Sequence, residues 1–289
     1  MTDAQNTVPK RKAGSAIAKI LIIATLVFFA FCQTFPFYLE LVRSVQPKHY
    51  LPKFGSIELW PVGLSLGNYI TAMKEIDLGR GFLNTFIIAG SYVLLSSVVI
   101  LITGYVLGKM NFRGKNVIFV CLLATMMVPG EVLLAPNFWL MSQLNMVNTR
   151  AALIFPGLVN VLGIFMVKQY MNTIPDSLVE SAKIDGARNA KIIWRIILPL
   201  TLPVIGTYCI LTFVGLWNDY LWPMLILAGD RSKWTLQLKL KEFIPSNSVG
   251  EYHKTLRSAG LMITLIPVIA IYVIFQKQFV EGISISGIK

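Results

Sequence analysis

Two short clusters of polar residues, each enclosed by apolar sequence, could carry chemistry in this 289-residue chain. The first cluster comprises Trp217, Asn218, Asp219 and Tyr220. The second is Glu131, in a break formed by proline and glycine. Polar side chains enclosed by apolar sequence are costly unless they meet water or a polar partner, so both sets of residues could line a cavity. No nucleophile–base set stands out, so neither predicts catalysis.

Each cluster has a second interpretation. Trp217 and Tyr220 could belong to an aromatic belt at the membrane interface, and Asp219 could pair with a basic residue of an outer loop or of a partner subunit. Glu131 could line a cavity or pack against protein, because a carboxylate at membrane depth does not face lipid.

A glycine pair followed by lysine, Gly104–Gly108 and Lys109, superficially suggests a nucleotide-binding loop. Walker A requires four residues between its glycines and a hydroxyl residue after the lysine. Here three residues separate the glycines, and Met110 follows the lysine. The pair is instead typical of close contacts between membrane helices. The sequence therefore predicts no ATP site of that type.

Cysteine and histidine residues indicate neither a disulfide nor a metal site. Cys32, Cys121 and Cys209 lie in apolar runs without a pairing pattern, and they are expected to be small, buried apolar side chains. His49 and His253 lie in separate loops, far from any cysteine.

Composition indicates a polytopic membrane protein. Apolar residues make up 55% of the chain and charged residues 14%, whereas a soluble domain has about a quarter charged residues. Six runs lack Asp, Glu, Lys and Arg: Ile20–Leu39, Gly81–Gly108, Val132–Thr149, Ala151–Val167, Ile196–Asn218 and Ser258–Gln276. Such runs are typical of membrane-spanning helices. The predicted fold is all-α with six spans.

The net charge of +12 does not indicate a nucleic-acid-binding protein, because the basic residues are scattered through short loops and span ends. Lys10, Arg11, Lys12 and Lys19 precede the first span and predict a cytoplasmic N-terminus. The region 44–80 is expected to be an outer loop. The predicted outer loop 230–257 is unusually basic, and its charges could serve an acidic partner or an anionic substrate.

The segment Pro175–Pro203 is the longest polar, helix-forming stretch between two spans. Its pattern predicts two short amphipathic helices at the membrane surface, joined where Gly186 adopts a left-handed conformation. Asp176 lies in the first turn of the first helix, where negative charge suits the helix dipole. The fifth span is expected to begin at about Leu202, after Pro199 and Pro203.

This segment resembles the EAA loop of the binding-protein-dependent ABC import permeases, of the maltose and multiple-sugar type. The residues that carry the resemblance lie between 180 and 199: Glu180, Ser181, Ala182, Asp185, Gly186, Ala187 and Pro199. Ser181 stands where the family usually has alanine. The cluster at Trp217 and the tail Gln276–Gly282 resemble sugar permeases as well. The resemblance implies that the cluster and Glu131 line the substrate path. It also implies that residues 80–289 form the transmembrane core of a permease with a cytoplasmic tail. Residues 1–79 are expected to hold an N-terminal cytoplasmic segment, the first transmembrane helix and an outer loop.

The resemblance implies a transport subunit of a bacterial cytoplasmic membrane with both termini in the cytoplasm. It implies a homologous permease as mate, an ABC ATPase dimer that binds ATP and magnesium, and an extracytoplasmic binding protein that delivers a carbohydrate. The EAA loop, between the fourth and fifth spans, would dock on the ATPase. A secondary carrier driven by an ion gradient is the alternative, although no internal repeat is evident.

Overall fold

The computed structural model describes residues 12–47, 50, 57–242 and 252–287, and every regular element within them is helical. The helices are α1 (Lys12–Ser44), α2 (Gly67–Glu75), α3 (Leu78–Lys109), α4 (Lys115–Thr125), α5 (Leu134–Gln143), α6 (Ala151–Ile154), α7 (Val161–Met171), α8 (Asp176–Ile184), α9 (Asn189–Ile192), α10 (Leu198–Asn218), α11 (Leu221–Ile226), α12 (Leu236–Glu242) and α13 (Tyr252–Gly287). Short 3₁₀ turns cover Gly130–Leu133, Phe155–Gly157 and Arg231–Lys233, and a π-helical turn covers Ile193–Ile197.

Four helical stretches are long and apolar enough to cross a membrane: Ala18–Ser44, Leu78–Lys109, Asn189–Asn218 and Lys254–Ile274. Two bent pairs could each form another span. The pair Lys115–Thr125 and Gly130–Gln143 bends by 90°, and the pair Ala151–Gly157 and Val161–Met171 bends by 43°. The chain therefore has four to six spans, and the predicted break before Glu131 is present.

Helix α3 lies at the centre of the bundle, where α7 and α10 pack against it. Gly104 and Gly108 make the approach to α7 possible, because a Cβ at Gly104 would lie 2.5 Å from Val167 Cγ1. A Cβ at Gly108 would lie 2.6 Å from Met171 Cβ. Small residues of this kind let helix backbones come close in membranes. The glycine pair is thus a packing feature, as the sequence indicated.

Polar contacts define two ends of this bundle among the described residues. At one end, called here the loop end, Lys109 at the end of α3 contacts Asp176 of α8. At the other end, called here the α12 end, Asp77 before α3 contacts Lys239 of α12 with 2.9 Å between Oδ2 and Nζ. Helix α3 runs from the α12 end to the loop end, and α10 runs back, since Trp217 O at the end of α10 accepts from Gln237 of α12.

The sequence missed two elements and misplaced a third. It was also wrong about Cys32 and Cys121, which are exposed on the surface of the chain rather than buried. The region 44–80, expected to be a loop, contains α2, and the predicted outer loop 230–257 contains α12, which packs on α3. Residues 48–49, 51–56 and 243–251, with His49 among them, lie outside the described part of the chain. The fifth span begins at Asn189 rather than near Leu202, so the second surface helix is the first part of that span.

Pro199 does not end the helix that begins at Asn189, because the backbone before it adjusts. Pro199 has no N–H group and would interrupt an ordinary helical turn. The π-turn at Ile193–Ile197 precedes it, and Leu198 N donates to Ile193 O. A π-turn is a common way to accommodate a local change in helix geometry. The helix therefore continues, with Pro199 in its first turn and Pro203 inside it.

The basic residues between 230 and 242 have partners within the chain. Lys239 is 6% exposed and pairs with Asp77. Lys233 Nζ lies 3.0 Å from Asp230 Oδ2 and donates to Asn148 O at 2.9 Å. Lys241 lies 4.0 Å above the Tyr220 ring. Packing of α12 thus accounts for these three charges without an acidic docking partner.

Candidate functional site

The EAA-like segment forms a short helix that ends in a tight glycine cap. Gly186 has φ +77°, in the left-handed region that favours glycine. Ala187 N donates to Ala182 O at 2.9 Å, and Gly186 N donates to Lys183 O at 3.0 Å. These two bonds form a Schellman motif, which satisfies the last carbonyl groups of α8. Gly186 therefore has the conformation that the sequence predicted.

Helix α8 has one buried face and one exposed face. Val179 and Ala182 join the core cluster of α3, α7 and α10, and Ala187 packs against it. Glu180, Ser181, Asp185 and Gly186 are exposed. Ile184 is 86% exposed, although it is a large apolar side chain that lies outside the spans. The segment thus presents carboxylates and an apolar side chain on one accessible surface, called here the α8 surface.

A buried lysine attaches α8 to α3. The Lys109 side chain is 4% exposed, and its Nζ lies 2.5 Å from Asp176 Oδ1. The same ammonium group donates to Ile174 O, just before α8. The hydrogen bond from Lys109 lowers the pKa of Asp176, and the charge acts in the same direction. The contact fixes the start of α8 to the end of α3.

Asp219 lines a cleft of about 430 Å³ near the α12 end. Tyr92, Asn160, Tyr208 and Thr212 also line this cleft. Asp219 is the residue at which α10 ends, and its carboxylate lies at the backbone N–H groups of Trp222, Leu221 and Tyr220. Burial raises the pKa of Asp219 above its ordinary value, and those N–H groups oppose the shift. The ion pairs within the described residues do not include Asp219.

The other members of the 217–220 cluster point elsewhere. Trp217 is 1% exposed, stacks on Phe213, and donates from Nε1 to Thr264 O at 3.3 Å. Asn218 is exposed, and its Nδ2 donates to Val214 O at 3.0 Å. Tyr220 lines a separate pocket with Lys241. Trp217 is therefore a packing residue, and Asp219 alone of the four borders the cleft.

Glu131 lies apart from this cleft. It is exposed in the 3₁₀ turn between α4 and α5, and it is not among the residues that line the cleft with Asp219. The structure therefore does not join the two sequence clusters into one site.

Tyr92, Asn160 and Thr212 border the cleft but were not singled out by the sequence analysis. The best available signal was at Asn160, a polar residue shortly after Pro156-Gly157 within an otherwise apolar span. Proline and glycine predict a break in a helix, and a break at membrane depth occurs where it lines a cavity or packs against protein. Tyr92 and Thr212 carry no such signal, because their helices are unbroken around them.

Comparison with known proteins gives a family match over most of the chain. Residues 100–285 match the family described as binding-protein-dependent transport system inner membrane component. The arabinooligosaccharides transport system permease protein AraQ of Halalkalibacterium halodurans is 32% identical over 282 residues, which are 97% of this chain and 99% of that protein.

Two further matches also cover most of this chain and most of the protein compared with it. The melibiose/raffinose/stachyose import permease protein MelC of Bacillus subtilis is 30% identical over 93% of this chain and 96% of its own length. Among solved structures, one titled as a bacterial ABC transporter involved in the import of the acidic polysaccharide alginate has a chain that superposes with a TM-score of 0.84. The two are 26% identical, and the match covers 93% of this chain and 99% of that one.

Proposed function

Because the chain belongs to the family of inner membrane components of binding-protein-dependent transport systems, we propose that it forms half of the path for a carbohydrate in an ABC importer. It is a permease subunit, and ATP is hydrolysed by a separate subunit. The observation that carries the proposal is the match over nearly the whole length to sugar permeases. The exposed face of α8, with Glu180, Ile184 and Asp185, supports it at the place where the chain would meet the ATPase.

The proposed partners follow from this assignment. A homologous permease completes the path, an ATPase dimer binds ATP and magnesium, and an extracytoplasmic binding protein delivers the sugar. Lipid surrounds the apolar outer faces, as the exposed Leu26 and Phe28 of α1 illustrate. Six spans with both termini in the bacterial cytoplasm place the loop end inside and the α12 end outside.

The α8 surface would transmit the movement of the ATPase to the spans. Glu180, Asp185 and exposed Ile184 offer charge and apolar area to a partner. Buried Val179 and the Lys109–Asp176 contact join the same helix to the core. Closure of the ATPase dimer on ATP would therefore move α8 together with α3, and the permease halves would expose the path to each side in turn.

Transport in proteoliposomes tests the proposed function. The complete importer is reconstituted with its binding protein, and sugar uptake is followed with ATP trapped inside the vesicles. Uptake should stop when ATP is removed while an imposed proton or sodium gradient is held. Uptake that continues on the gradient without ATP would identify a secondary carrier instead.

A further inference from the structure

A break in one membrane helix and the end of another meet at the cleft that Asp219 lines. The fourth span bends by 43° between α6 and α7, where Asn160 precedes α7 in an extended conformation. The fifth span ends at Asp219, two residues before α11 begins. Both residues border the same volume of about 430 Å³. Broken helices with polar residues are typical of solute sites in transporters, because irregular backbone needs a cavity or protein around it.

The side chains at this cleft offer mixed donors and acceptors. Asn160 Oδ1 accepts from Gly163 N at 2.9 Å, which caps α7. The Asn160 side chain also hydrogen-bonds to Tyr92, so one N–H donor of its amide remains for a solute. Thr212 contributes a hydroxyl that hydrogen-bonds to Tyr208 and keeps lone pairs to accept from a solute. Tyr208 donates its hydroxyl to Ser96 Oγ at 2.9 Å, and its ring forms part of the wall. Such a set suits hydroxyl groups, which also donate and accept.

Charge sets the class of solute. The described residues that line the cleft include the carboxylate of Asp219 but no lysine, arginine or histidine. The carboxylate of Asp219 is in none of the ion pairs within the described residues, so a second negative charge in the cleft would meet it without a neutralising cation and would cost free energy. A volume of this size falls within the range of about 300–1,000 Å³ that is usual for small-molecule sites. The cleft therefore disfavours acidic or phosphorylated sugars.

We propose that Asn160, Thr212 and Asp219 form a hydroxyl-binding subsite of the translocation path that accepts neutral sugars and rejects anionic ones. This proposal rests on the proposed function, since it concerns the solute of the same path. The subsite holds the sugar briefly by hydrogen bonds as it passes, and Asp219 acts as both acceptor and charge filter.

The test uses the reconstituted importer with its binding protein. Neutral probes are raffinose, maltotriose and arabinotriose, and the acidic probe is trigalacturonate. Thr212→Val removes the hydroxyl with little change of shape, and Thr207→Val is the matched control. Thr207 lies on the same helix, outside the cleft, and its hydroxyl bonds to Pro203 O within the helix.

Thr212→Val and Asn160→Ala should each lower the uptake of the accepted neutral sugar by roughly threefold to tenfold, the usual effect of one lost hydrogen bond. Thr207→Val, outside the cleft, should transport at the wild-type rate with wild-type ATPase activity. Asp219→Asn should raise the uptake of trigalacturonate relative to the neutral sugar, because it removes the repelling charge.

Two results would overturn the subsite while the proposed function stands. One is wild-type uptake in Thr212→Val and Asn160→Ala. The other is transport of trigalacturonate by the wild-type importer as fast as a neutral sugar. If the wild-type importer shows no ATP-dependent uptake of any probe, both the subsite and the sugar-import function fail together.

Discussion

Removal of the Lys109 ammonium group should loosen α8 without unfolding the chain. The Lys109 side chain is 4% exposed and donates to Ile174 O as well as to Asp176. A hydrogen bond from a charged donor contributes about 1.5–3 kcal/mol. Because Asp176 is exposed and screened by water, we assign this effect to the buried bond with the Ile174 carbonyl. Lys109→Met should thus favour local opening of α8 by roughly 10- to 150-fold.

Hydrogen exchange measured by mass spectrometry reports this opening directly. Peptides that cover residues 175–186 should exchange faster in Lys109→Met by that factor, while peptides from α10 should not change. Lys74→Met is the matched control, since Lys74 is exposed on α2 and distant in the fold from α8. In the assembled importer, Lys109→Met should also lower the sugar imported per ATP hydrolysed.

Asp176→Asn separates the two bonds of Lys109. The pKa of Asp176 is lowered in the folded chain, so the ion pair stabilises the fold above the ordinary carboxylate pKa and is lost as the pH falls through the lowered value. Asp176→Asn should therefore accelerate exchange less than Lys109→Met does at neutral pH. Equal acceleration in both variants, or none in Lys109→Met, would refute the role given to the buried carbonyl bond.

Three further predictions concern the cap, the packing of α3 and the topology. Gly186→Val should weaken ATPase binding and transport while the chain still inserts into the membrane, because a β-branched residue at φ +77° costs about 1 kcal/mol or more. Co-purification of the ATPase with the variant measures the binding. Transport at the wild-type rate would contradict the prediction. Gly104→Ala should destabilise the purified chain by about 1–3 kcal/mol in a denaturation assay, since its Cβ would lie 2.5 Å from Val167 Cγ1. Gly90→Ala is the control and should leave the stability unchanged, because there is open space around Gly90. In a chain without native cysteines, Leu64→Cys should react with an impermeant thiol reagent from outside and Asp185→Cys only from inside; labelling of both from one face would contradict six spans.

The sequence predicted the helical class, the break before Glu131 and the cap at Gly186, because each depends on local physical chemistry. Charge-free length predicts spans, proline and glycine predict breaks, and a left-handed cap favours glycine. The sequence did not predict α12, whose formation depends on tertiary packing. Helix α12 is short and basic, so only its contacts with α3, including Lys239 with Asp77, show why it folds.

Only the part of the candidate site that has a local signal in the sequence could be predicted. Asp219 was recognisable because a carboxylate beside an apolar span is costly unless it has a role. Tyr92 and Thr212 could not be assigned, since their place at the cleft depends on how α3 and α10 pack. Trp217 lies beside Asp219 in the sequence, which suggested a place at the same site, but its side chain packs in the core.

The continuous helix from Asn189 to Asn218 gives the chain a stiff rod between its two ends. It has 30 residues, and at 1.5 Å per residue it is about 45 Å long. One end follows the Gly186 cap directly, and the other carries Asp219 at the cleft. A tilt of about 10° at the first end would displace the second by about 8 Å if the rod stays straight. The π-turn and Pro203 are the places where it can flex, so the stiffness of these two turns sets how much of a movement at the loop end reaches the cleft.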